Sequence, residues 1–248
     1  MRCVPYVLAV CACAALAGCG PAGAHSTPQP FSGMELARRT EGGLAPVMLP
    51  YRPPDFAVFG DGRAVETDPY RPMRARIATL TSTARARLVS GAYDNGLDHA
   101  RRIRSDLRVA DGQTVTLWFR RATTTIEPGA DTRVRSFGDE LAFDRIARRD
   151  MRIPPRPYAP GRVAVIAVPL PSPPRTARAW PLAAPQPTPE LRGTPCRTYT
   201  GAAAERAGRL LDHPTPPRYW RAGGRVLRLV AYPLLPGETR CADLARRP

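Results

Sequence analysis

Phe56-Ala57-Val58-Phe59-Gly60-Asp61-Gly62-Arg63-Ala64-Val65-Glu66 reads as two short apolar runs joined by a glycine-bracketed turn. The glycines admit the positive φ of a tight hairpin, so the segment predicts antiparallel strands on either side of Gly60-Asp61-Gly62. A phosphate-cradling loop would open a helix immediately afterwards. A β-prone, alternating segment follows instead, which makes Gly60-Asp61-Gly62 a turn rather than a ligand cradle. Upstream, Met34 to Thr40 predicts a further strand that ends at Glu41-Gly42-Gly43.

Downstream, Thr81 to Asn95 predicts a helix. Thr81 or Ser82 can cap it, Leu80, Ala84, Leu88 and Ala92 recur on one face, and Gly96 can stop it in a left-handed conformation with Leu97 closing the end. Asp94-Asn95-Gly96-Leu97-Asp98-His99 resembles a calcium loop only in part, because Ser105 stands where the twelfth-position Glu is needed. Asp111-Gly112 then turns the chain into Thr114-Val115-Thr116-Leu117-Trp118-Phe119, whose alternation puts Val115, Leu117 and Phe119 on one face and Trp118 on the other. This is expected to be a central strand, with Arg133 to Phe137 pairing beside it. Leu141, Ala142, Phe143, Ile146 and Ala147 predict a second helix, started by the acids Asp139-Glu140.

Pro154 to Pro160 marks a seam. Beyond it, Val163 to Val168 is a continuous apolar strand suited to burial on both faces, and Pro169 to Pro195 runs extended with Trp180-Pro181-Leu182 as its anchor. Thr200 can cap a helix to Asp212 with Ala203, Ala207, Leu210 and Leu211 inward. Trp220 and a Gly223-Gly224 turn then lead into a strand over Val226 to Tyr232. The order predicts an α+β fold: a curved, mainly antiparallel sheet packed against two to three helices, with a smaller disulfide-tied C-terminal α/β portion. The expected domains are an α+β unit over 34–153 and a Pro-rich connection with a C-terminal subdomain over 154–248.

The N-terminus carries a different signal. Arg2 precedes an apolar run from Val4 to Leu16, too short to span a bilayer comfortably, and small residues then lead to a cysteine in Leu16-Ala17-Gly18-Cys19. That pattern resembles the lipobox of bacterial lipoproteins, which implies a signal peptide over 1–18 cut before Cys19, diacylglycerol and palmitate on Cys19, and a flexible tether over 19–33. Of the six cysteines, Cys3, Cys11 and Cys13 fall in the discarded leader. Cys11 follows the bulky Val10, and Cys13 would leave too short an apolar region. Cys196 and Cys241 remain as an even pair in an exported chain, so a disulfide is expected, with a two-cysteine metal site as the rival that lacks a histidine at ligand spacing.

The formal charge is +16, and every one of the 37 basic residues is arginine. An anionic partner, such as lipid headgroups or a charged wall polymer, is one reading; GC-rich codon usage, which also favours Ala, Pro and Gly, is the other. Nucleic acid is not expected of an exported chain without an aromatic-interleaved basic patch.

Taken with the lipobox, Glu41-Gly42-Gly43, Phe59-Gly60-Asp61-Gly62-Arg63, Trp180-Pro181-Leu182, Trp220 and Pro233-Leu234-Leu235-Pro236-Gly237-Glu238 ahead of Cys241 resemble an uncharacterised group of secreted lipoproteins from high-GC Gram-positive bacteria, the actinomycetes. The resemblance covers most of the mature chain. It implies a shared fold and an extracytoplasmic, lipid-anchored location, and offers no catalytic residue to carry over.

Catalytic motifs are missing from the sequence: there is no Gly-x-Ser-x-Gly elbow, His-Glu-x-x-His zinc helix or phosphate loop. His25, His99 and His213 fall in the tether, after a helix end and before a proline. No cofactor and no metal is expected, and the inventory leans away from an enzyme. The expectation is a lipid-anchored envelope protein that binds an anionic wall polymer or another envelope protein. The alternative is a small extracellular hydrolase with a non-local carboxylate or histidine site.

Overall fold

The computed structural model describes residues 33–42, 51–107, 109, 111–130, 132–170, 172, 174, 176–212 and 219–247. Leu16, Ala17, Gly18, Cys19, His25 and His213 lie outside these residues. The chain order is β1 (Met34–Gly42), β2 (Phe56–Phe59), β3 (Arg63–Glu66), β4 (Arg76–Leu80), α1 (Ser82–Asp94), β5 (Arg101–Ile103), β6 (Gln113–Phe119), β7 (Ala122–Ile126), α2 (Arg133–Glu140) and β8 (Met151–Pro157). It continues with β9 (Arg162–Val168), β10 (Arg178–Ala179), β11 (Gln186–Pro187), β12 (Pro195–Thr200), α3 (Gly201–Leu211), β13 (Trp220–Ala222) and β14 (Arg225–Pro233). Two mixed sheets result, ordered β5-β7-β6-β1-β2-β3-β4-β8 and β10-β13-β14-β9-β12-β11, so the fold is α+β. Among the described residues no helix is long and apolar enough to cross a membrane.

The hairpin forms where the glycines permit it. Phe56 faces Glu66 and Val58 faces Ala64, Gly62 adopts φ +86°, and the Asp61 carboxylate accepts the Arg63 amide at 3.0 Å. One face of the first sheet buries Leu36, Phe56, Val58, Leu117 and Phe119 against Ala84, Leu88 and Ala92 of α1. Thr81 caps α1, its hydroxyl accepting the Ala84 amide at 3.1 Å. Gly96 stops it at φ +62°, with the Leu97 amide donating to Ala92 O at 2.9 Å and the Gly96 amide to Tyr93 O at 2.7 Å. Those two bonds satisfy carbonyls that a helix end otherwise leaves without partners.

β6 is an interior strand, paired with β1 and with β7. Its neighbour is Ala122–Ile126, not Arg133 to Phe137. The latter stretch is helix α2, because Thr132 accepts the Arg135 amide at 3.1 Å and Val134 and Phe137, three residues apart, share one buried face. The helix expected over 141–147 is absent as well. Leu141, Phe143 and Ile146 are buried, but at spacings of two and three that an irregular turn satisfies, with Phe143 set edge-on to Phe56 at 5.3 Å. Asp139 and Glu140 therefore end α2 rather than start a helix, the terminus the macrodipole disfavours for acids. β8 continues the first sheet through Pro154, Pro155 and Pro157, prolines that leave few donors on an edge strand for another chain to join.

In the second sheet β9 lies between β14 and β12, and Val163 to Ala167 are buried on both faces. α3 covers one face through Ala204, Ala207 and Gly208, with Ala203, Leu210 and Leu211 half-buried beside them. Thr200 stands at its N-cap without a side-chain bond to the helix. Trp180 stacks edge-on with Trp220 at 5.0 Å and donates its indole N–H to the Tyr199 hydroxyl at 3.0 Å, which anchors the proline-rich stretch. On the other face Cys196 of β12 and Cys241 form the disulfide, Cα atoms 6.0 Å apart across 45 residues. Nearby, Arg247 and Glu238 form an ion pair with side chains 1% and 0% exposed. Arg247 also donates to Tyr51 O at 3.1 Å and Pro233 O at 2.7 Å, so the pair ties both parts of the chain together.

Candidate functional site

A cleft of about 560 Å³ opens at the end of the first sheet where β1 and β3 finish and β2, β4 and β6 begin. Thr40, Asp55, Glu66, Arg76 and Gln113 therefore line it from five adjacent strands or their immediate flanks. The turn after β3, Thr67-Asp68-Pro69-Tyr70, forms one lip. Asp68 shapes that turn by accepting the amides of Tyr70 at 2.8 Å and Arg71 at 3.0 Å. The turn leads to Met73 and Arg74, which reach α3: Arg74 donates to Asp212 at 3.3 Å and the Met73 methyl lies against Gly208.

The carboxylates of the cleft are committed to its walls. Asp55 is 6% exposed, accepts the Thr40 amide at 2.7 Å and pairs with Arg52 at 3.0 Å. Burial pushes its pKa above the ordinary value, and the Arg52 charge and the Thr40 amide only partly offset this. Glu66 accepts the Phe143 amide at 3.2 Å through one oxygen and Arg76 through the other. The basic side chains, in contrast, keep capacity. Each guanidinium carries five donors; among the described residues Arg76 spends two groups on Glu66 and Arg74 one on Asp212, and both side chains are 52% exposed. Tyr70, 63% exposed, presents an aromatic face at the same mouth.

Among the described residues, none of the site residues singled out from sequence lines this cleft. Cys196 and Cys241 are joined on the far side of the second sheet, and His99 is exposed after α1, 3.4 Å from Asp98. Gly60-Asp61-Gly62 is a turn at the opposite end of the strands. The residues that make the cleft left little trace: Asp55 precedes a strand and Glu66 ends one, positions at which a solvated acid is ordinary. Only the Asp68-Pro69-Tyr70-Arg71-Pro72 turn signal locates part of it. Among the described residues no three His, Cys, Asp or Glu side chains converge as metal ligands. Comparison with protein-family models, curated proteins and solved structures finds no match to the chain.

Proposed function

We propose that the protein is a lipid-anchored envelope protein on the extracytoplasmic face of the cell membrane, and that its cleft binds an anionic wall glycopolymer without turning it over. The observation that carries the binding reading is the donor-rich mouth. Among the described residues, Arg74 and Arg76 keep N–H groups without a partner beside the exposed ring of Tyr70, a combination that suits acidic groups and the flat face of a sugar. The net positive charge of the chain raises the local concentration of such a polymer. Anchoring is supported by Leu16-Ala17-Gly18-Cys19 after a short apolar leader. Binding is favoured over hydrolysis because Asp55 and Glu66 are engaged by wall amides and arginines and Asp68 by the amides of its own turn.

Two measurements test this reading. Intact-mass spectrometry of the protein from host membranes should give a mature chain beginning at diacylglyceryl-Cys19; an unprocessed N-terminus overturns the anchor. The full chain should cosediment with cell walls that retain their anionic polymers and lose that binding when the polymers are stripped. Replacing both cleft arginines (R74S/R76S) should weaken it severalfold. Equal binding to stripped walls overturns the ligand class, and release of soluble sugar by wild type but not by D55N replaces binding with hydrolysis.

A further inference from the structure

The end of the first sheet opposite the cleft is built from three adjacent segments. The Gly60 amide donates to Gly33 O at 2.6 Å, the Arg120 amide to Glu35 O at 2.8 Å, and the Leu80 amide to Gly62 O at 2.8 Å. Arg63, Arg85, Arg120 and Arg121 stand there with Glu35 and Asp61, and the Arg87–Asp150 pair borders them beside Thr81, whose amide donates to Asp150 O at 2.9 Å. Glu35 is held by Arg85 at 2.7 and 2.8 Å, and Asp61 by Arg63 at 2.6 Å. Arg120 and Arg121 are exposed and, among the described residues, pair with no carboxylate. Arg120 turns the chain at φ +55° and lays its guanidinium over the rings of Tyr93, at 5.3 Å, and Phe119, at 5.4 Å. Tyr93 is 43% exposed. It borders a shallow recess of about 390 Å³ on the outer face of α1, floored by Ala86 and Val89.

Guanidinium groups outside any ion pair among the described residues, an exposed tyrosine and a small apolar recess are the chemistry of a headgroup layer: the cations meet phosphates while the ring and aliphatic stems settle against the glycerol region. The chain enters β1 here. Gly33 stands about 14 residues after Cys19, a span that reaches roughly 50 Å at most, so a lipid on Cys19 keeps this end within range of the bilayer. The cleft lies at the other end of the same strands, about 20 Å along β1 from Met34 to Thr40.

We propose that the Arg120-Arg121 end docks on anionic phospholipid headgroups and so holds the cleft pointing away from the membrane. The proposal rests on the lipid-anchored reading. The test is arginine footprinting with phenylglyoxal, read by peptide mass spectrometry, on the mature protein reconstituted into vesicles of phosphatidylcholine with or without phosphatidylglycerol. Phosphatidylglycerol should slow modification of Arg120 and Arg121 roughly fivefold, leave Arg74 and Arg76 unchanged, and lose its effect in high salt. Equal modification in both vesicle types overturns the proposal, as does protection of Arg74 and Arg76 instead. Protection by anionic wall polymer but not by phosphatidylglycerol would reassign these arginines to the wall and overturn it too. If mass spectrometry shows Cys19 unacylated, the anchor fails separately; the same footprint on the chain mixed with phosphatidylglycerol vesicles then decides the docking.

Discussion

Asp55 shows how a single buried side chain can shape a site and cost stability in the same position. Its folded-state pKa is raised, first by burial. Its favourable contribution is therefore complete below the unfolded value and is lost as pH rises through the folded one. The neutral isostere escapes that loss. D55N should gain stability relative to wild type as pH rises from acid to neutral, measured as a growing difference in urea midpoint. Glu35 behaves oppositely, since its bonds to Arg85 depress its pKa; its contribution is present above the unfolded value and lost as pH falls through the folded one. Neither acid was legible as special in the sequence. The disulfide was, because two cysteines remaining in a chain read as exported have one obvious chemistry, and Cys196 and Cys241 do meet.

At the scale of elements, two helix glycines separate packing from propensity. A Cβ on Gly91 would lie 2.7 Å from the ring of buried Phe137, so α1 and α2 meet at a contact that has no room for a methyl. One on Gly208 would meet only the Met73 methyl at 2.9 Å, the free end of a pliable side chain. Alanine gains about 1 kcal/mol of helix propensity at either site, whereas overpacking costs about 1–3 kcal/mol. G91A should therefore lower the melting temperature and G208A raise it, a difference of sign that thermal denaturation reads directly. The hairpin over 56–66 and helix α1 were legible because glycines and a threonine cap punctuate them. β7 was not: its hairpin turns on Arg120-Arg121, with Arg120 in the left-handed region that glycine or asparagine ordinarily marks. Without that neighbour, the segment Arg133 to Phe137 looked like the partner strand.

Over the whole molecule, the α+β class followed from the alternation of hairpins and helices, but the cleft could not be read from it. The cleft exists only because five strands that are scattered along the chain end or begin on one level. The second sheet depends on its cross-link. Closing 45 residues stabilises by about 4 kcal/mol on chain entropy, so reduction or C196S/C241S should lower the unfolding free energy by that order in urea titrations. The aromatic anchor of the same sheet has an optical consequence. Trp180 and Trp220 are buried there, while the third tryptophan, Trp118, is half-buried on the first sheet under the guanidinium of Arg39 at 5.0 Å. Intrinsic emission should therefore divide between a short-wavelength pair on the disulfide-tied half and a longer-wavelength single residue on the half bearing the cleft, and the order in which the two shift during denaturation should tell which sheet opens first.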